Sequence, residues 1–585
     1  MQTGLTNKSK FIIVLIIVVL LQLLLSFQGF DICDDGFVLT FYQQIFQNPE
    51  SVEYNFLYWF SGIVGGLWYQ IYEDGGVFWF RMLALIVNTS TFVITYHLLK
   101  RHMRQDFLLL ALTMVLFVND YGFLTFYHNQ LTALMTVLII YVLSKAITKN
   151  VMTLFILSGI LISFNTVVRI PNLVLTSFLL VIPFGYFIKF RSLKRAIKPT
   201  LFCSLGIVLG FALVYSILIA LDQVVIMKNA LLTIFDLGKT ENSSHNFKSI
   251  FTAPLYNYYH IIVTLVQFAA IVMFLIFSNR FFSKISFGKF LLSISTIGLL
   301  LYWINTGNIY PIYGLCLLGS IIILWSKHFN SSLKVLACFS LLTLITLTLG
   351  SAGGINNSGY MAIWLGLPLF FLAMQNFNLY AKKNGIATEV IQSIFNNNLN
   401  NRLLYCLALA FFAVKSYNIY NGAYFDSGSR YLKTYAINDK LAQGIYTTEK
   451  RAQIINDLLV NLEDFVAPGD YLFAYDKIPM VHFLTETKPY MYNPWVWIYD
   501  YNSFRKKLNK AEHDIPVLPV VVQQKFETIS NFSEPIEDYM SVHKENSDLH
   551  SNERNKAMRD FLTRHNYTVV WSNAYFNIYK TPKSQ

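Results

Sequence analysis

Twenty consecutive uncharged residues run from Phe11 to Phe30, preceded by Lys8 and Lys10 and followed by acids instead of a small-residue cleavage site. A helix of that length crosses the hydrocarbon core of a bilayer, which predicts a retained anchor whose N-terminus faces the cytoplasm. The pattern recurs at windows near 78–99, 107–119, 130–147, 151–168, 173–188, 200–221, 259–278, 288–304, 309–325, 333–350, 361–380 and 403–420, giving thirteen expected spans. Over the 585 residues, 55% are apolar and only 13% charged. A soluble enzyme cannot bury that much apolar surface, so the composition excludes one for most of the chain, and it equally excludes a disordered or fibrous protein.

The net charge of +12 takes its meaning from position. From Asn421 onward there are 19 Lys and Arg against 20 Asp and Glu, so the basic excess lies entirely in the first 420 residues, between the apolar windows. Basic clusters such as Lys100-Arg101, Arg191 with Lys194-Arg195, and Lys382-Lys383 alternate with loops that carry few basic residues, and Phe11 to Phe80 holds seven acids and no Lys or Arg. That alternation is the positive-inside pattern of a multi-pass membrane protein and excludes a nucleic-acid partner. An odd number of spans places the C-terminal 165 residues outside.

The segments between spans are expected to fold in their own ways. In the first outer loop, 31–77, Phe37, Val38, Phe41, Tyr42, Ile45 and Phe46 recur at helical spacing, as do Trp59, Phe60, Ile63, Val64, Leu67, Trp68 and Ile71. Such helices are predicted to lie at the headgroup level. The tail 421–585 reads as a mixed α/β domain, with a helix over 447–465 closed by Pro468-Gly469 and strands at Tyr471–Tyr475, Val517–Val522 and Thr568–Trp571. It carries no glycine-rich phosphate loop, His/Cys ligand cluster or nucleophile elbow. The five cysteines are odd in number, scattered, and absent from the tail, so no disulfide framework or metal site is expected.

Three polar constellations fall on outer segments. Asp31, Asp34 and Asp35 sit in five residues directly after the first span; one carboxylate there caps a helix, but three exceed that need, and one shielded at the lipid boundary has the raised pKa a general base requires. Asn119-Asp120-Tyr121 and Tyr127-His128-Asn129-Gln130 flank the turn between spans three and four, where capping competes with substrate contact. Arg169-Ile-Pro171-Asn172 joins spans five and six. A guanidinium at that depth snorkels or holds an anion, and its planar fork suits a phosphate. Lys228, Lys239 and Lys248 in the long segment 222–258, the turn Ser351 to Asn357, and Lys415 are weaker candidates.

This layout resembles the GT-C superfamily of membrane glycosyltransferases, in particular lipid A aminoarabinose transferases and protein O-mannosyltransferases. Those enzymes carry an acidic pair in the first external loop; here Asp34 takes the catalytic place and Asp35 stands where Glu is common. The resemblance implies a polyprenyl-phosphate sugar donor, a hydroxyl acceptor on a glycan, lipid or protein, and an inverting displacement on the outer face of a bacterial cytoplasmic membrane. It assigns catalysis to Asp34 and Asp35 and substrate contact to Asp120, with His128, Asn129, Asp31 and Arg169 as the surrounding candidates. The scheme needs no metal and is compatible with a divalent cation at the phosphate. A transporter or flippase is the rival reading, disfavoured because charged residues gather at span ends and no internal repeat is evident. A non-catalytic scaffold is the third, and it gains if these side chains face separate surfaces.

Overall fold

The computed structural model describes residues 6–119, 124–239, 247–282, 286–305, 308–349, 351, 354–377, 379, 397–525 and 551–582. Among the described residues seven helices are long and apolar enough to cross a membrane, Gly354–Met361 and Gly366–Gln375 form one pair bent by 79°, and five shorter apolar helices accompany them, thirteen segments in all. Each expected window coincides with one of these segments. The twelfth differs in shape: the expected single span is broken at 362–365, and Gly366 starts the second half two residues before Pro368.

The helices that carry the site come early. They are α1 (Asn7–Leu25), α2 (Asp34–Gln44), α3 (Trp59–Ile71), α4 (Gly76–Leu99), α5 (Gln105–Phe117), α6 (His128–Lys149) and α7 (Met152–Val168). α1 is peripheral, with Ile16, Ile17, Leu20 and Leu24 exposed, as an anchor facing lipid requires. α3 likewise leaves Leu67 and Ile71 exposed. α2, expected beside it on a surface, is instead buried at all eleven positions. The C-terminal domain covers it: Gly36 packs on the Met480 backbone, and Gln43 Nε2 donates to Phe483 O at 3.3 Å, so its polar residues are bonded where they are buried. The segment 222–258, expected to be a loop, contains the helix Val224–Lys239 and the start of Phe247–Phe282; Asn229 Nδ2 donates to Glu53 at 3.1 Å.

The C-terminal domain is built on a five-stranded sheet of order β4-β3-β5-β7-β6, with β3 Tyr471–Tyr475, β4 Lys488–Pro489, β5 Val520–Gln524, β6 Thr568–Ser572 and β7 Phe576–Lys580. β3 runs parallel to both β4 and β5, and its continuous apolar run suits a strand covered on both faces. β5 begins at Val520 because Pro516 and Pro519 have no N–H for a ladder. The helix Glu449–Leu462 buries Ile454, Ile455, Leu458, Leu459 and Leu462, which recur at three and four residues and so share one face. β1 Tyr435–Ala436 and β2 Tyr446–Thr447 form a separate antiparallel pair.

Bundle and domain are fastened at the first loop. Asp426 is fully buried and accepts from Lys433 Nζ at 2.7 Å, Thr447 Oγ1 at 2.7 Å and the Phe30 amide at 2.8 Å, with Arg451 Nε 3.2 Å away. Met480 N donates to Ile32 O at 3.0 Å, and Lys507 Nζ lies 2.5 Å from Glu53. Gly36 is packed so closely that a Cβ would stand 2.1 Å from the Met480 backbone nitrogen. Removing the carboxylate from this buried set strands the Lys433 and Arg451 charges, so Asp426→Asn is expected to cost about 3–5 kcal/mol. A large drop in the thermal midpoint of the purified protein, with easier proteolysis after residue 421, checks it; an unchanged midpoint contradicts it.

Candidate active site

The turn after α1 determines where each acid points. Asp31 accepts from the amides of Cys33 at 2.7 Å and Asp35 at 2.9 Å, so both its oxygens serve as a cap that winds the chain into α2. This leaves Asp34 and Asp35 in the first turn of the helix, buried to 7% and 5% exposure. Their surroundings differ. Asp35 Oδ2 accepts from Thr125 Oγ1 at 2.7 Å and lies 3.6 Å from Arg81 Nη2, while Arg81 also donates to the Ser26 and Gly29 carbonyls at 2.8 and 2.7 Å. Asp34 accepts from the Tyr424 hydroxyl at 2.6 Å, and among the described residues no cation stands within ion-pair distance of it.

Electrostatics separates the two acids. Burial raises Asp34, its bond from Tyr424 opposes the shift, and the Asp35 charge adds to it, leaving the carboxyl pushed up to about 6. Burial also raises Asp35, but Arg81 and Thr125 pull it back toward the ionised form. Asp31 is raised by burial and by both neighbouring carboxylates, against the two amides it caps. Tyr424 is held firmly protonated by burial and by the Asp34 charge. Asp34 is therefore a carboxylate at neutral pH with a raised affinity for a proton and, among the described residues, no counter-ion to stabilise it.

The cation of the site comes from α7. Arg169 ends that helix in an extended conformation, and Asn172 fixes the turn by donating to Thr132 Oγ1 at 2.9 Å and Asn165 Oδ1 at 3.1 Å. The guanidinium is 5% exposed, yet its one hydrogen bond is a long one, 3.4 Å to Leu347 O, and among the described residues no carboxylate reaches it. Tyr58, Tyr127 and Tyr360 are all close enough to interact electrostatically with both Arg169 and Asp34. His128 stacks on Tyr58 with ring centroids 3.9 Å apart, and His128 Nδ1 and Asn129 Oδ1 are buried without hydrogen-bond partners. Asp120 lies outside the described residues.

Of the expected residues, Asp34, His128, Asn129 and Arg169, from three separate stretches of chain, are thus brought near Tyr58, Tyr127 and Tyr360, while Asp31 and Asp35 flank Asp34 on the turn into α2. Sequence reasoning missed Arg81, Thr125, Tyr58, Tyr360 and Tyr424. Arg81 had a signal, being the first cation after seventy residues without one and lying inside an apolar span. The tyrosines had none, since 36 are spread through the chain. Among the described residues no group of three or more His, Cys, Asp or Glu side chains is placed to hold a metal ion.

No family model matches this chain, and no curated protein matches it. Solved structures that align with it include ArnT from Cupriavidus metallidurans bound to undecaprenyl phosphate, 10% identical, covering 98% of this chain and 98% of that one, with a TM-score of 0.46. The oligosaccharyltransferase of Archaeoglobus fulgidus aligns in its apo form at 13% identity over 98% of this chain and 74% of that one, TM-score 0.44. The same protein tethered with an acceptor peptide containing the NVT sequon aligns at 10% identity over 97% and 74%, also at 0.44.

A buried guanidinium without an acid destabilises the empty fold, because its lost hydration is not replaced. Arg169→Met is expected to raise the thermal midpoint of the ligand-free protein, by the equivalent of about 1–3 kcal/mol. A lowered midpoint would mean that Arg169 is paired in the resting protein.

Proposed function

We propose that this chain is an integral-membrane glycosyltransferase of the GT-C type, moving a sugar from a polyprenyl-phosphate carrier to an acceptor hydroxyl on the side of the membrane opposite the Lys- and Arg-rich loops. The observation that carries the reading is a pair of buried charges: among the described residues Asp34 has no cation and Arg169 no acid within ion-pair distance, and both interact electrostatically with Tyr58, Tyr127 and Tyr360. A scaffold or a binding surface gains nothing from leaving two such groups unneutralised. A reaction that releases a phosphate anion and takes up a proton uses both.

In this mechanism the acceptor hydroxyl donates its proton to Asp34 as its oxygen bonds to the anomeric carbon. The bond between that carbon and the phosphate oxygen breaks, its electron pair stays on the leaving phosphate, and Arg169 stabilises the charge that develops there. One displacement inverts the anomeric centre. Asp35, tied to Arg81 and Thr125, holds the start of α2 in register and keeps a negative charge beside Asp34 that strengthens it as a base. Tyr424 orients the Asp34 carboxylate, and His128 and Asn129 offer buried, unpartnered polar atoms to the sugar or phosphate.

Asp34→Asn keeps the shape and can still accept from Tyr424, so the variant is expected to fold and insert normally while transfer falls by about 10²–10⁴-fold. Turnover at the wild-type rate would remove Asp34 from catalysis. For wild type, kcat/KM for the acceptor is expected to lose about tenfold per unit as pH drops below the Asp34 value of about 6, because only the carboxylate accepts a proton. A profile flat from pH 7 to 5 contradicts this. Arg169→Ala is expected to weaken donor use chiefly, and unchanged donor kinetics would count against the phosphate assignment.

A further inference from the structure

A cavity of about 910 Å³ opens between α1, α5 and the bundle's final helix, Asn397–Asn421, away from the tyrosines of the proposed active site. Its walls are apolar, formed by residues such as Val14, Leu21, Leu110, Phe117 and Phe412. One end is closed by the Lys10–Asp106 ion pair at 2.8 Å. At the other end stands Arg430, about 22 Å along α1 at the helical rise of ~1.5 Å per residue from Lys10 to Leu25. The cavity therefore runs along most of a bilayer's hydrocarbon depth, with ionic groups only at its two ends.

Arg430 is the informative group. It is 5% exposed, donates through Nη1 to Gln28 O at 3.3 Å, and among the described residues leaves Nε and Nη2 buried without partners. The acid that acts on it electrostatically, Asp426, is already engaged by Lys433, Thr447 and the Phe30 amide. Burial and the Arg81 charge lower the guanidinium to about 10, so it stays cationic at neutral pH. A charged fork with two spare donors at the mouth of a long apolar groove is complementary to a phosphate attached to a hydrocarbon chain.

We propose that this groove is a binding site for an anionic membrane phospholipid, with an acyl chain along α1 and α5 and the headgroup phosphate on Arg430. The site is separate from the one proposed around Arg169: Arg430 lies on the Arg81 flank of the acids, reached through Gln28, and shares none of Tyr58, Tyr127 or Tyr360. The assignment does not depend on the transferase reading, and its test reads lipid binding, not turnover.

The test equilibrates the purified full chain in detergent with dioleoyl-phosphatidylglycerol or dioleoyl-phosphatidylcholine and counts retained lipid by native mass spectrometry. Wild type is expected to hold one phosphatidylglycerol in preference to phosphatidylcholine. Arg430→Gln is expected to weaken phosphatidylglycerol about tenfold and abolish the preference. Leu110→Trp, which fills the groove and leaves Arg430 in place, is expected to retain neither lipid. Equal binding of both lipids by wild type and Arg430→Gln would reduce the groove to bulk lipid packing and overturn the proposal. So would loss of the bound lipid in Arg169→Ala, which would merge the groove with the donor site. Retention of a copurifying polypeptide in place of lipid also overturns it.

Discussion

Burying an ion without an opposite charge is among the costliest things a fold can do, and among the described residues this protein does it twice, at Asp34 and at Arg169. Asp34 has a phenol for company and Arg169 a single distant carbonyl, although the chain holds 45 basic and 33 acidic residues from which partners could have been drawn. The neighbouring acid shows that pairing was available: Asp35, one residue on, has both a cation and a hydroxyl. A low local dielectric magnifies whatever charge reaction supplies between Asp34 and Arg169. On the proposed reading, folding energy invested in keeping these groups apart is returned when a phosphate and a transferable proton arrive together.

That separation depends on the C-terminal domain as much as on the bundle. The domain covers α2, supplies Tyr424 to Asp34, and fastens itself through Asp426 to the end of the first span. Gly36, pressed on the Met480 backbone, shows how little room lies between roof and helix. Lys507 and Lys510 reach Glu53 from above, which fixes the segment that carries Tyr58. The soluble part thus has a physical role without any chemical motif of its own: it excludes water from acids whose properties depend on that exclusion.

Membrane spans were legible in the sequence because hydrophobic length is a local property, and every window found by composition coincides with an apolar helix or, for the twelfth, with the bent pair. The strand Tyr471–Tyr475 was legible for a similar reason, as a short apolar run ended by turn residues. What was not legible is whatever depends on distant chain segments meeting. The aromatic spacing of α2 pointed to a helix on a surface, because no local signal says that a domain four hundred residues later will cover it. The break in Gly354–Gln375 was likewise hidden inside an apolar window. Among the site residues, the three acids and Arg169 stood out as charges beside apolar runs. Tyr58, Tyr360 and Tyr424 matter only through where the fold brings them, and the capping role of Asp31 emerges only once its two amide partners are seen.

The most direct measurement is a structure of the protein with a polyprenyl phosphate sugar bound. The account predicts the phosphate within hydrogen-bond distance of the Arg169 guanidinium and the anomeric carbon facing the Asp34 carboxylate across the space bounded by Tyr58, Tyr127 and Tyr360. A phosphate held elsewhere, with Arg169 and Asp34 both free of the ligand, would contradict it.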